Sequence, residues 1–324
     1  MAALSEQRPG PLPAPLIDLR DIHAGYLETL LAEETAAWRT ELDWDFAPSA
    51  ELVRRFIGMR ALTGYALAGR THAAGYAYYV IDEGKGLIGG LFVAREYRTM
   101  QTENALVAAV LESMWRSQET RRVEAQLMML TAPLARAVPY PSWFRPYARK
   151  FMEAPLDAIG SLPRRDPGAV IAPWWESRQD DAARLIAEAY AGHIDSQIND
   201  QYRSAAGARR FLTNIVQYPG CGSFYAPASY VASAGPGQAL CGVCLASLVS
   251  AGVGHITQVC VSPSRWGTGL GYELIRRSLV TLAEHGCHKV TLTVTASNHG
   301  AIRLYERLGF TNRRDFAAYV WEMR

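Results

Sequence analysis

The amino-acid sequence predicts an α/β protein built as two tandem modules. Two observations carry this. Helical and strand-like patterns alternate along both halves of the chain, and the order in the first half recurs in the second at an offset of about 168 residues. The length of 324 residues, more than one compact domain usually takes, agrees with two.

In the first half, "GYAYYVI", the turn "DEGKG" and "LIGGLFV" read as a hairpin, "ENALVAAVLESMW" as an amphipathic helix and "RRVEAQLMML" as a strand. "FRPYARKFMEAPL" reads as a closing pair of strands, and "GSLPRRDPGA" as the joint between modules. The second half opens with a strand at 169–173 and helices through "DDAARLIAEAYAG" and "SAAGARRFLTNIVQ". Strands follow at 229–234, 240–250 and 254–261. A helix over 271–285 gathers Leu270, Leu274, Ile275, Leu279 and Leu282 on one face, and Gly286 stands at its C-cap. Alternating "KVTLTVTA", a short helix "HGAIRLYERLG" and a last pair of strands in "FTNRRDFAAYVWE" complete the order. The organisation expected is a flexible leader over 1–14 and modules over 15–162 and 168–324.

Composition narrows the function. An apolar share of 49% with 20% charged residues is that of an ordinary globular chain. Lys plus Arg of 33 against Asp plus Glu of 31, with no basic block, argues against nucleic acid as a partner. No apolar run approaches the roughly 20 residues that cross a bilayer, so no membrane partner is expected. The N-terminus "MAALSEQRPGPLPAP" has no signal-peptide pattern, which with reduced thiols suggests a cytoplasmic protein. Five cysteines, an odd number, argue against a disulfide framework. Cys241 and Cys244 form a CxxC within a strand, but nothing completes a zinc site, and no metal is expected.

The chemistry concentrates in "VCVSPSRWGTGLGYELIRR", residues 259–277. Gly267, Gly269 and Gly271 lie between a strand and a helix, where bare backbone and unpaired amides suit a pyrophosphate. The nucleotide P-loop is excluded because no Lys-Ser or Lys-Thr follows, and the dinucleotide fingerprint because the spacing is G-x-G-x-G. On the glycines alone, an ordinary tight turn explains the stretch equally well. In the first half Thr99, Gln101 and Glu103 hold the matching positions, placing a carboxylate where an anion would sit. That module reads as a scaffold or substrate-facing domain.

"VCVSPSRWGTGLG" followed by "TVTASNHGAIRLYERLGF" resembles the GNAT superfamily of acyl-CoA-dependent N-acetyltransferases. Its marks are Val-x-Pro, a Gln/Arg-x-x-Gly-x-Gly/Ala loop and Asn-x-x-Ala-x-x-x-Tyr-x-x-x-Gly-Phe, the last complete here in Asn298, Ala301, Tyr305, Gly309 and Phe310. Trp266 replaces the loop's first Gln or Arg, and Arg265 precedes it. The motifs cover residues 169–324; residues 15–160 resemble the superfamily by pattern only.

The resemblance implies two tandem GNAT-like domains, each a mixed, mostly antiparallel twisted sheet flanked by helices, the first degenerate. It implies acetyl-CoA as cosubstrate and transfer to a primary amine, of a small molecule or a peptide, within a ternary complex. Val259, Cys260 and Val261 then line the acetyl and pantetheine parts. Trp266, Gly267, Thr268, Gly269, Leu270, Gly271 and Tyr272 surround the pyrophosphate. Asn298 bonds the pantetheine arm, and Tyr305 protonates the departing thiolate. Thr293 stands where some relatives carry a basic Glu, and His255 where others do, which makes His255 the candidate proton acceptor. "AGHIDSQINDQYR" offers His193, Asp195, Asp200 and Tyr202 to a cationic amine, or is a solvated loop. The alternative to an enzyme is a non-catalytic acetyl-CoA sensor or interaction module. Nothing in the sequence decides between a monomer and a homodimer.

Overall fold

The computed structural model describes residues 14–116, 120–157, 159–218, 220–235 and 237–323. The expected leader over 1–14 lies, but for Ala14, outside the described residues. In chain order the elements are β1 (Leu16–Asp18), α1 (Glu28–Leu42), α2 (Ala47–Gly58), β2 (Gly64–Ala68), β3 (Ala73–Asp82), β4 (Lys85–Val93), α3 (Met100–Arg116), β5 (Arg122–Gln126) and β6 (Phe144–Pro155). There follow β7 (Val170–Pro173), α4 (Gln179–Ala189), the single turn α5 (Asp195–Ile198), α6 (Ala205–Gln217), β8 (Ser223–Phe224), β9 (Tyr230–Ser233), β10 (Leu240–Ser250) and β11 (Val253–Val261). Last come α7 (Leu270–Glu284), β12 (Lys289–Thr295), α8 (His299–Arg307) and β13 (Thr311–Glu322).

The chain forms two compact units. One holds the residues up to Leu42, Phe46–Ala148 and the end from Phe316; the other holds Asp43–Asp45 and Arg149–Asp315. In the first unit the strands run β1-β2-β3-β4-β5-β13, parallel at β4–β5 and antiparallel in the other described pairs. In the second they run β6-β12-β11-β10-β9-β7, parallel at β11–β12 and otherwise antiparallel, with β8 beside β10. Both are mixed, mostly antiparallel sheets.

Each unit takes a strand from the other half of the sequence. Ala318–Glu322 of β13 pair with β5 in the first unit, and Arg149–Pro155 of β6 pair with β12 in the second. The stretches expected as closing pairs of strands are instead single strands of 12 residues each. Charged side chains of the two strands pair along their length, as where Arg313 Nη1 donates to Glu153 at 2.8 Å.

Side chains of a strand alternate between faces, and β10 is buried on both. Val243 and Leu245 pack against Ala182, Ile186 and Leu212 of α4 and α6. Cys244 and Ala246 pack against Leu274, Leu279 and Leu282 of α7. All five apolar residues expected on one face of α7 are at most 1% exposed, and Gly286 follows the helix at φ +95°. In the first unit α3 buries Leu106, Val110 and Met114 against β2, β3 and β4, in one apolar cluster with Trp321 and Tyr319 of β13. Among the described residues no helix is long and apolar enough to cross a membrane.

Candidate functional site

The second unit opens a fork between β11 and β12. Their parallel pairing runs from Val253–Lys289 to Ile256–Leu292 and stops there. At that point Thr257 is an extra residue on β11, between the pairs Ala246–Ile256 and Leu245–Gln258 on β10. A bulge bends its strand, which is how β11 turns away from its neighbour. Two tyrosines stand in the opening. Tyr190, just past α4, donates its hydroxyl to the Val259 carbonyl at 3.4 Å and receives Gln258 Nε2 at 3.0 Å. Tyr202 stacks on it at 4.4 Å and donates to Gln258 Oε1 at 3.3 Å. Burial first, and then the neighbouring phenol or Asp195, raises both phenols, so they remain proton donors.

Beyond β11 the chain makes a tight turn at Pro263–Arg265 and enters α7 through Gly267 (φ +78°) and Gly269 (φ +85°), conformations that side chains oppose. Gly269 is the N-cap, and the first intrahelical bond runs from the Glu273 amide to its carbonyl, which leaves the amides of the first turn open. Neither backbone angle nor crowding requires a glycine at position 271. A side chain there would only reach ordinary contact with Leu304 and Val261, at 3.5 and 3.6 Å. Trp266 is 65% exposed and donates its indole N–H to the Val261 carbonyl at 3.0 Å. The hydroxyl of Tyr272 is buried with no hydrogen-bond partner among the described residues. Open amides at the mouth of a 15-residue helix fit a diphosphate.

Asn298 caps α8, accepting the Ala301 amide at 3.1 Å, and turns its Nδ2 to within 3.3 Å of His193 Nε2. His193 lies edge-on to Tyr190, and its Nδ1 accepts the Asp195 amide at 3.1 Å. The Asp195 carboxylate receives the Thr295 hydroxyl and, at 3.4 Å, Arg149 Nη1. Arg149 also donates to Thr295 Oγ1 at 3.0 Å and to Thr293 Oγ1 at 3.1 Å. Tyr305 lies on α8, 7% exposed and against Phe310. Its hydroxyl makes no hydrogen bond with the described residues. Burial raises its pKa, with Cys244 and Asp195 adding to the effect.

His255 stands elsewhere. It pairs with Thr291 on the closed part of the two strands, is 5% exposed, and is bonded through Nδ1 to Thr291 Oγ1 at 2.8 Å. Trp44 and Phe151 enclose the ring, and burial pushes its pKa down to about 3. These are the surroundings of a packed structural histidine, not of a base open to a substrate.

Of the acceptor-loop residues, His193, Asp195 and Tyr202 join this cluster, whereas Asp200 begins the short 3-10 helix Asp200–Arg203. Arg149, Tyr190 and Gln258 were not anticipated. Tyr190 follows an amphipathic helix and carried a faint signal; Arg149 reaches the site only because β6 pairs with β12.

In the first unit Glu103 is 1% exposed and does not stand in the place of Gly271 as the sequence offset suggests: its amide bonds the Thr99 carbonyl as that of Glu273 bonds the Gly269 carbonyl, so it is the counterpart of the equally buried Glu273. The Glu103 carboxylate receives Arg136 at 2.9 Å and both the amide and the hydroxyl of Thr131 at 3.1 Å. At the start of α3 the Thr99 hydroxyl accepts the Thr102 amide at 3.1 Å, a cap that Gly269 lacks.

The sequence profile of the Acetyltransferase (GNAT) family matches residues 196–310. An N-alpha-acetyltransferase of Arabidopsis thaliana is 38% identical over 66 residues, 20% of this chain and 35% of that protein. The mycothiol acetyltransferase of Thermobispora bispora is 44% identical over 59 residues, 18% of this chain and 20% of that protein. These two matches therefore span about a third or less of the relatives. The mycothiol acetyltransferase of Kineococcus radiotolerans is 27% identical over 96% of this chain and 95% of its own. A GCN5-related N-acetyltransferase from Sphaerobacter thermophilus shares the fold at TM-score 0.69 with 19% identity, covering 97% and 98% of the two chains. A tandem GNAT protein from the clavulanic acid biosynthesis pathway does so at 0.63 with 16% identity, covering 95% and 98%.

Proposed function

We propose that this protein, whose residues 196–310 match the Acetyltransferase (GNAT) family, moves an acetyl group from acetyl-CoA to a primary amine, of a small molecule or a peptide. The observation that carries the reading is the contrast between the two helix mouths. One enters its helix through Gly267 and Gly269 with first-turn amides that no side chain caps; at the other the Thr99 hydroxyl already takes the Thr102 amide. The unit that ends at Ala148 and resumes at Phe316 is then the degenerate module, and the unit of Arg149–Asp315 the catalytic one, in place of the bounds 15–162 and 168–324 expected from sequence. Val259, Cys260 and Val261 border the pantetheine path, Asn298 bonds it, and the stretch from Trp266 to Tyr272 holds the diphosphate.

In the reaction the amine nitrogen forms a bond to the thioester carbon, the C–S bond breaks, and the amine loses a proton while the thiolate gains one. Tyr305, kept protonated by burial, donates to the thiolate. The imidazole beside Asn298 is that of His193; its basic nitrogen is Nδ1, which exchanges the Asp195 amide for the amine's proton, directly or through water, with the Asp195 carboxylate 3.8 Å away to receive the charged ring. Arg149 fixes Asp195 and is a positioning residue.

The test is calorimetric titration with acetyl-CoA, then thiol detection across a panel of small-molecule and peptide amines. Binding with amine-dependent CoA release supports the enzyme. Binding without release for any amine points to a sensor.

A further inference from the structure

Resting on the acetyl-CoA reading above, we propose that Arg165, in the linker before β7, supplies the cation of the phosphate site in place of the loop side chain that Trp266 has displaced. Trp266 turns its only polar group back to the Val261 carbonyl, so it offers the diphosphate no charge. Arg165 stands at the mouth instead. Its side-chain carbons lie 3.7 and 3.8 Å from where a Cβ on Gly269 would be, and its guanidinium sits over the Tyr272 ring at 5.5 Å. The guanidinium makes no ion pair or hydrogen bond with the described residues, which leaves its donors available to an anion.

Its position is fixed by the backbone. The Arg165 amide donates to Glu273 Oε2 at 3.1 Å, in the first turn of α7. Glu273 is 1% exposed and would itself repel a phosphate, but Arg276 at 2.7 and 2.9 Å and Arg277 at 3.1 Å compensate its charge. Burial pushes this carboxyl up, and those hydrogen bonds outweigh it and hold the pKa at about 2. The buried Glu273 thus tethers the linker and aims a free cation at the loop. Tyr272, 7% exposed with an unpartnered hydroxyl, lies beneath that cation.

The experiment compares wild type, Arg165→Ala and Arg165→Lys with two donors, acetyl-CoA and S-acetylpantetheine, which lacks the diphosphate. The alanine variant keeps the amide that bonds Glu273, so the tether persists. We expect its KM and Kd for acetyl-CoA to rise about tenfold, the worth of one charge-assisted hydrogen bond at an open site. kcat should hold, lysine should restore part of the loss, and KM for S-acetylpantetheine should not move. Unchanged acetyl-CoA affinity in Arg165→Ala, or an equal loss with both donors, overturns the assignment while wild-type activity leaves the enzyme reading intact. A wild type that binds no acetyl-CoA overturns both.

Discussion

Arg149 and Thr295 are joined side chain to side chain at 3.0 Å although 146 positions separate them in sequence. They face one another across β6 and β12, and both hold Asp195. Removing the guanidinium leaves a half-buried carboxylate without its counter-charge. Arg149→Met is expected to cost the second unit about 2 kcal/mol, below the full penalty for a buried pair because Asp195 is still partly open. It should also lower kcat/KM for the amine more than for acetyl-CoA. Chemical denaturation and steady-state kinetics check the two effects.

Tyr305→Phe removes one oxygen from a hydroxyl that makes no hydrogen bond with the described residues, so it should cost little stability. As the acid, it should lower kcat about 100-fold and leave acetyl-CoA affinity nearly unchanged. Equal turnover in the two proteins would remove Tyr305 from the chemistry.

The two histidines should separate cleanly. His193→Gln is expected to lower kcat by about 100-fold without a change in melting temperature or in acetyl-CoA affinity. His255→Gln puts an amide between Trp44 and Phe151 and should lower stability, with turnover per folded molecule preserved. Loss of turnover in a fully folded His255→Gln variant would restore that residue to the mechanism.

Two buried carboxylates predict opposite responses to pH. Burial raises Glu34, and hydrogen bonds from Tyr76 and Trp38 draw it back only to about 7. Its folded-state pKa exceeds the unfolded value of 4.5, so its contribution to stability is full below that value and declines as pH rises to about 7. Glu273, held at about 2, contributes fully above 4.5 and loses that contribution as pH falls toward 2. Glu34→Gln should flatten the first dependence and Glu273→Gln the second, read by denaturation at stepped pH.

Much of the second module was legible because its signals are local. The period of α7, the glycines at left-handed φ and the spacing from Asn298 to Phe310 each depend on residues a few positions apart. The four-residue turn into β4 was legible for the same reason, with Glu83 at φ +47° and Gly84 at φ +76°. The exchange of β6 and β13 was not, because nothing in "FRPYARKFMEAPL" says which partner strand it meets. With that exchange went Arg149. The burial of His255 was not legible either, because the Trp44 against its ring comes from a segment far earlier in the sequence. Helices α1 and α2 also went unread; α1 has a weak apolar stripe interrupted by the buried Glu34.

The most direct test of the central claim, that the second unit alone holds the diphosphate at its open helix mouth, is amide hydrogen exchange with and without acetyl-CoA. The account predicts protection confined to residues 259–273 and 293–305, with none at 93–108. Protection at 93–108, or nowhere, would contradict it.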